Sequence, residues 1–431
     1  MANKNNYDLI IIGAGASGLA AAIAFKRKCD GTVLVLDLNA EAGRKILATG
    51  NGRCNITNTN ADGYLKTKEF FASLGVILDI EAEGRVYPLN RQASTVRDAL
   101  YMEATKLGAE FSFNTRAISI EQGTDDNFIV EIEVPSDEAE DEADEKDNDG
   151  DGTDEKNTII ARQVIVATGG KAAPQYKCLG DGYSFARNLG IKVVSISPAL
   201  TYFTYSPEER DELSELKGVR AKAMASVIID GNKVCSEYGE VQFTQKSVSG
   251  ICVFNLSREI RHQRTIVNDN NDYDNMIISL DFMPNFTVED INQLLRHNTA
   301  AGLRGILNSK LADYILGRVT SENLDENYSE ELSPLLSSSI YISSMIKNFE
   351  IEVDGTGGWK DAQVTYGGIE LSEIDLARGE SMSVPGLYFA GEVLNYDGPC
   401  GGYNLDFAWY SGITAGTGAG GYCAYYKRNN S

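Results

Sequence analysis

Residues 7–37 read as strand, glycine-rich turn, helix and strand, in that order. Tyr7 to Ile12 is a largely apolar run suited to a buried parallel strand. Leu19 to Lys28 is alanine-rich with a basic end, as a helix C-terminus favours. Thr32 to Leu36 is a second apolar strand. Between the first strand and the helix lies Gly13-Ala14-Gly15-Ala16-Ser17-Gly18, the G-x-G-x-x-G pattern. Gly13 permits the tight turn, Gly15 lets a diphosphate approach the backbone, and Gly18 allows the helix to lie close to the sheet. The helix N-terminus offers free N–H groups and a positive dipole end. Asp37 ends the second strand, about 20 residues beyond the turn, where an acid accepts hydrogen bonds from a ribose. The pattern alone is weak evidence; strand, turn, helix, strand and acid in register point to a dinucleotide.

Several later features favour FAD over NAD. Gly43-Arg44-Lys45 follows Asp37 closely and adds positive charge. Thr168-Gly169-Gly170 ends the apolar run Val164 to Ala167, a turn suited to lie near the dinucleotide. Tyr388-Phe389-Ala390-Gly391-Glu392 ends a late strand, followed by Gly398-Pro399-Cys400-Gly401-Gly402-Tyr403-Asn404 and a Gly/Ala-rich helix from about Leu405 to Tyr426. A helix N-terminus aimed at the flavin would stabilise an anionic reduced ring. Gly416 to Gly421 is also glycine-rich, but it falls within that helix and has no strand after it. No second nucleotide unit is therefore expected, and NADH or NADPH would visit the flavin transiently.

Between the two ends the pattern changes. Phe111 to Phe113, Ala117 to Glu121 and Phe128 to Val134 alternate as antiparallel strands do. Strands are expected at Thr158 to Ala167, Ala225 to Ile229 and Val241 to Thr244, and again at Phe349 to Val353 and Gln363 to Thr365. Helices are expected after a capping box at Thr287 and Asp290, over Ser309 to Leu316 and over Leu332 to Ile346. The fold class is α/β: a Rossmann-type, two-dinucleotide-fold architecture with inserted mixed-β and helical domains. The expected divisions are 1–193 with 356–431 for the nucleotide domain, 194–260 with 336–355 for the β domain, and 261–335 for a helical cap.

Composition narrows the function. The net charge of −23 disfavours nucleic acid, whose phosphates need Lys and Arg. It also disfavours an anionic membrane face. Residues 136–156 hold twelve acids and two lysines, and read as a solvated hairpin loop. Seven cysteines without a Cys-x-x-Cys read as reduced thiols in a cytoplasmic protein. With only His262 and His297, a His-based metal site or Ser-His-Asp triad is not expected. The apolar stretch from Leu9 to Phe25 is short and interrupted by glycines, so no membrane span is expected.

Eight segments are similar to a known family: IIGAGASGLAAA (11–22), GRKILATGNGRCNITN (43–58), GRVYPLNRQASTV (84–96), ATGGKAAP (167–174), GDGY (180–183), FTQKSVSG (243–250), AQVTYGGIE (362–370) and PGLYFAGEVLNYDGPCGGYNLDFAW (385–409). They resemble the YhiN-like bacterial flavoproteins, which include a bile-acid-inducible dienone reductase and an aminoacetone oxidase. The resemblance spans nearly the whole chain. It implies FAD contacts at Gly13, Ala14, Gly15, Ala16, Ser17, Gly18, Asp37, Arg44 and Lys45. It implies further contacts at Asn51, Arg53, Cys54, Gly391, Glu392, Gly402, Tyr403, Asn404 and Leu405. The chain departs from the family at Gln245-Lys246, where many members carry another pair, and in its acidic insertion. Tyr403 and Asn404 are weak catalytic candidates. Cys54 and Cys400 read as small residues beside the ring, with a redox role the lesser alternative.

The expected activity is reduction of a conjugated C=C in a 3-oxo enone or dienone such as a steroid, on an apolar small-molecule substrate. An FAD-dependent amine oxidase using O2 and a non-enzymatic redox sensor are the alternatives. The sequence leaves substrate and oligomeric state open.

Overall fold

The computed structural model describes residues 6–123, 125–134, 157–267, 275–295, 299–322 and 334–430. The acidic segment 136–156 and His297 lie outside them. The chain divides into two compact units, residues 1–197 with 364–431, and residues 198–363.

The first unit contains β1 (Asn6–Ile12), α1 (Ala16–Lys28), β2 (Val33–Leu36), α2 (Arg44–Ala48), β3 (Thr57–Asn58), α3 (Tyr64–Ser73), β4 (Ala109–Ser112), β5 (Asn157–Val166), β6 (Leu387–Phe389) and α4 (Tyr403–Asn430). Five strands are parallel, in the order β6, β5, β1, β2, β4. Leu9, Ile10 and Ile11 are fully buried, so β1 is covered on both faces. Each such side chain contributes about 1.5–3 kcal/mol by leaving water. Ile12 aligns with Leu36 on one side and Val166 on the other, and Phe389 aligns with Val166. The turns that follow these four strands therefore emerge at one edge of the sheet. Because β1 connects to β2 on one side and lies against β5 on the other, a crevice opens at that edge, where doubly wound folds bind ligands.

Two expectations need correction in this unit. Phe111–Phe113 alternates, yet Ala109–Ser112 runs parallel to β2. It is the last strand of the parallel core, with Glu110 exposed, and one-sided burial gives the same alternation as an antiparallel pair. The strands Arg116–Gln122 and Phe128–Glu133 are antiparallel to each other, and the second joins β5. The cysteines are also not all free thiols: Cys29 and Cys423 form a disulfide between the end of α1 and α4. Spacing carries no trace of it, because 394 residues separate the two. The bond arises from how closely those helices lie. A Cβ on Gly412 would stand 2.3 Å from Ser17 O, and one on Gly416 2.2 Å from Ala21 O. Only a residue without a side chain fits there, and this accounts for much of the glycine in the final helix.

The second unit is built on a closed six-stranded antiparallel barrel. Its strands run Phe203–Tyr205, Ser247–Ser249, Asn232–Phe243, Arg220–Ile229, Met276–Asp281 and Phe349–Thr356 around the ring. Helices Val288–Leu295, Thr299–Ile306, Ser309–Glu322 and Pro334–Lys347 bury Leu295, Leu303, Ile315 and Ile346 in the same core as barrel residues Phe243 and Phe349. The capping box is formed: Asp290 N donates to Thr287 Oγ1 (3.1 Å) and Thr287 N to Asp290 Oδ2 (2.9 Å). His262 is half-buried on the helix Ile251–Val267.

Candidate functional site

All the residues expected to hold a cofactor lie in the first unit. The turn after β1 is shaped by its glycines. Gly13 has φ +109°, and a Cβ there would meet Ala167 O at 2.4 Å. A Cβ on Gly18 would meet Gly13 O at 1.8 Å, so the first turn of α1 presses on the end of β1. Gly15 faces open space, with nothing within 4 Å of where a Cβ would stand, and so does Gly169, at φ +73°. Leu19 N makes the first bond of α1, to Gly15 O (3.0 Å). The amides of Ala16, Ser17 and Gly18 precede it, at the positive end of the helix. Open space above Gly15, flanked by helix-end amides, fits the diphosphate of a dinucleotide.

Other groups are engaged elsewhere. Ser17 Oγ donates to Ala390 O (3.3 Å), Gly391 N donates to Ser411 Oγ (2.9 Å), and Ala14 N donates to Asp37 Oδ2 (2.7 Å). Asp37 Oδ1 accepts from Asn39 N (2.7 Å) and Asn39 Nδ2 (3.0 Å). Burial raises the Asp37 pKa, and these donors oppose the shift. A carboxylate oxygen has capacity for a further hydroxyl donor.

Lys45 and Glu392 form an ion pair at 2.9 Å with side chains 29% and 20% exposed. Burial pulls the Lys45 pKa down, but Glu392 together with Cys178 and Tyr176 offsets it and the net shift is upward, so the ammonium is retained. Glu392 Oε1 accepts from Thr365 N (2.9 Å), and Thr365 Oγ1 accepts from Lys171 N and Ala172 N (2.8 and 3.0 Å). The network ties α2, the turn after β5 and the turn after β6 into one rim, with Gly170 pressed against Thr365 Oγ1. Thr168 is half-buried beside it. Arg44, by contrast, is exposed and paired with Glu41 (3.1 Å).

The stretch after α2 turns sharply: Gly50, Asn51 and Cys54 all have φ between +55° and +57°. Asn51 and Arg53 are exposed, and Arg53 stacks over the Tyr87 ring at 5.2 Å. Cys54 is fully buried, and burial pushes its thiol pKa up to about 12. Asn404 Oδ1 accepts from Gly398 N (2.8 Å) and its Nδ2 donates to Gly398 O (2.8 Å). Its amide thus braces the turn ahead of α4, which suits a structural role. Tyr403, half-buried, lies with its ring 3.7 Å from where a Gly401 Cβ would stand, and Leu405 packs at the edge of the core. Sequence reasoning missed Thr57, Thr67 and Asp406, whose carboxylate accepts from both threonine hydroxyls. Their contacts span more than 330 positions, so no local pattern shows them. A cavity of about 300 Å³ lies along α4 between Asp62, Leu376, Tyr396 and Tyr410, and none of the expected cofactor residues lines it.

The chain matches the HI0933-like protein Rossmann domain over residues 7–68 and 63–418. It belongs to this family. It is a Rossmann flavoprotein, and its sheet and fingerprint turn are those of a dinucleotide-binding fold. It is 30% identical to the 3-dehydro-bile acid delta(4,6)-reductase of Clostridium scindens, over 95% of this chain and 98% of that one. Two ribosomal RNA dihydrouridine synthases also match. That of Escherichia coli is 26% identical, over 94% of this chain and 96% of the other. That of Haemophilus influenzae is 27% identical, over 93% and 96%. No described helix is long and apolar enough to cross a membrane.

Proposed function

We propose that the protein is an FAD-dependent reductase of a C=C bond conjugated to a ring carbonyl, with a 3-oxo steroid-like dienone as substrate and NADH or NADPH as electron donor. One observation carries the reading. The relatives are named for different substrates, yet the chemistry implied by those names is the same. A 3-dehydro Δ4,6 steroid has its double bonds conjugated to the 3-oxo group. Dihydrouridine is uridine whose ring C=C, conjugated to a ring carbonyl, has been saturated. Both changes add hydride at the carbonyl-remote carbon of a conjugated C=C (the β-carbon, or by vinylogy the δ-carbon of a dienone) and a proton at the neighbouring carbon.

Bound FAD would supply the hydride chemistry at its ring. The protein supplies position and field. The amides at the start of α1, with Gly15 and Gly169 leaving room, would hold the diphosphate, and Asp37 a ribose. Lys45, kept charged by Glu392, would sit on the rim beside them. The N-terminus of α4 favours negative charge on whatever lies in front of it. Asn404 holds the turn that aims this end. Tyr403 is the group assigned to deliver the α-proton, and Tyr403→Phe should lower the reoxidation step by about 10²-fold or more while leaving reduction by NAD(P)H intact.

A second reading, reduction of a uridine in RNA, is favoured by the two dihydrouridine synthases. The charge of −23 weighs against it, since a polyanion approaching a polyanion is repelled. An anaerobic titration tests all of this. The protein is reduced with NADPH or NADH and then offered a 3-oxo-4,6-dienone or a uridine-containing RNA, and in a separate aerobic arm the oxidised protein is given an aminoketone. Reoxidation by the dienone supports the proposal. Reoxidation by RNA alone, or peroxide release with the amine alone, overturns it.

A further inference from the structure

Asp406 lies in the first turn of α4 and is 3% exposed. Its carboxylate accepts three hydrogen bonds: Oδ1 from Thr57 Oγ1 (2.6 Å) and Thr67 Oγ1 (2.8 Å), and Oδ2 from Gly63 N (3.0 Å). The donors come from β3, from α3 and from the residue just before α3. The neighbours of Thr57 hold the same helix. Trp409 Nε1 donates to Ile56 O (2.9 Å), and Asn58 Nδ2 donates to Gly401 O (3.0 Å). Gly402 lies so close to Thr57 O that a Cβ there would come within 2.4 Å. Three consecutive residues, 56 to 58, therefore grip α4 and the turn that opens it. A buried carboxylate is costly unless its oxygens are satisfied, and an apolar residue would fill the space more cheaply. What the carboxylate adds is direction: each donor must sit at a fixed place around it.

We propose that Asp406 is a positioning residue that locks segment 51–58 to turn 398–405, so that the two stretches assigned to the flavin form one wall of fixed shape. The proposal rests on the FAD reading above. When the clamp is loosened, the wall is correctly assembled for only a fraction of the time, and the apparent dissociation constant rises by the inverse of that fraction.

The test uses the full chain, stripped of flavin and titrated with FAD, with flavin fluorescence as the readout. Thr57→Ser keeps the hydroxyl, and Thr57→Val removes it at nearly constant size. The serine variant is expected to bind FAD like wild type. The valine variant should bind about tenfold more weakly, as one buried acceptor loses its donor. At saturating FAD, the valine variant should also show a blunted visible band shape and an altered flavin midpoint potential. Leu100→Ala, in the core of the same unit, controls for lost stability: it should lower Tm without altering band shape or potential. Asp406→Asn should also weaken FAD binding, because it removes the charge that strengthens the bonds from Thr57, Thr67 and Gly63. If Thr57→Val and Thr57→Ser bind FAD equally and give the same spectrum, the clamp is overturned while the FAD reading stands. If wild type takes up no FAD, that reading fails and the clamp fails with it.

Discussion

Cys54 shows what a single side chain's surroundings dictate. It is wholly buried at φ +57°, and burial holds its pKa near 12 despite an opposing hydrogen bond with Thr49. At pH 8 the reactive thiolate is then roughly one part in ten thousand. Iodoacetamide at pH 8 should leave Cys54 unmodified in the native protein, as read by peptide mass mapping. Labelling of Cys54 without prior unfolding would contradict the burial. The sign of the linkage is fixed by the same shift. The folded pKa lies above the ordinary value of 9.0, so Cys54 contributes nothing to pH dependence below that value and destabilises the fold only as pH climbs towards 12. At this scale the sequence was readable where the cause was local. The turn at Gly13 and the close packing at Gly18 depend on a six-residue run, and the pattern carries them. Asp406 depends on Thr57, Gly63 and Thr67, more than 330 positions away, and could be found only once the chain had folded.

Among the elements, the pairing of α1 with α4 decides how the two ends of the chain meet. Gly412 and Gly416 lie a helical turn apart, and each abuts backbone of α1 rather than a movable side chain. Alanine at either place forces the helices apart, and overpacking of this kind costs about 1–3 kcal/mol. The two sites should nonetheless differ. Gly412 abuts Ser17, inside the fingerprint turn, whereas Gly416 abuts Ala21, a turn further along α1. Gly412→Ala is expected to weaken FAD binding and lower Tm. Gly416→Ala should lower Tm by several degrees with FAD affinity nearly unchanged. Equal loss of FAD affinity in both would mean that helix separation, not the fingerprint, is what matters. The existence of the terminal helix was legible from its apolar and alanine content, and the reason for its glycines was not. Glycine at four-residue intervals is compatible with a turn, a kink or a close approach, and only the partner helix distinguishes them. The disulfide belongs to the same class of fact, since the packing of these helices sets it.

For the molecule as a whole, charge is the property that separates the substrate readings. The chain carries 62 acids against 39 lysines and arginines. Ten of its 23 net negative charges fall within residues 136–156, so removing that segment still leaves an acidic protein. An RNA-binding surface releases counterions as Lys and Arg neutralise phosphates, and for single strands log Kobs falls with log salt at about 0.7 per phosphate neutralised. A protein working on an uncharged enone has no such term. Reoxidation of the pre-reduced protein by a neutral 3-oxo dienone should therefore stay within about twofold between 50 and 500 mM salt, since screening acts only on charged partners and the charged NAD(P)H takes no part in this half-reaction. RNA should show no saturable binding at 150 mM salt, either to the whole chain or to a variant lacking residues 136–156. The deletion matters because that segment carries ten of the 23 net negative charges and so repels RNA on its own account. If the shortened chain bound RNA with a slope of several units and lost it as salt rose, the charge of that segment would be what keeps RNA off the intact chain, and the steroid reading would give way to the uridine one. If neither form binds RNA while the dienone is turned over at every salt concentration, the substrate is a small molecule, selected by a surface whose field keeps nucleic acid away.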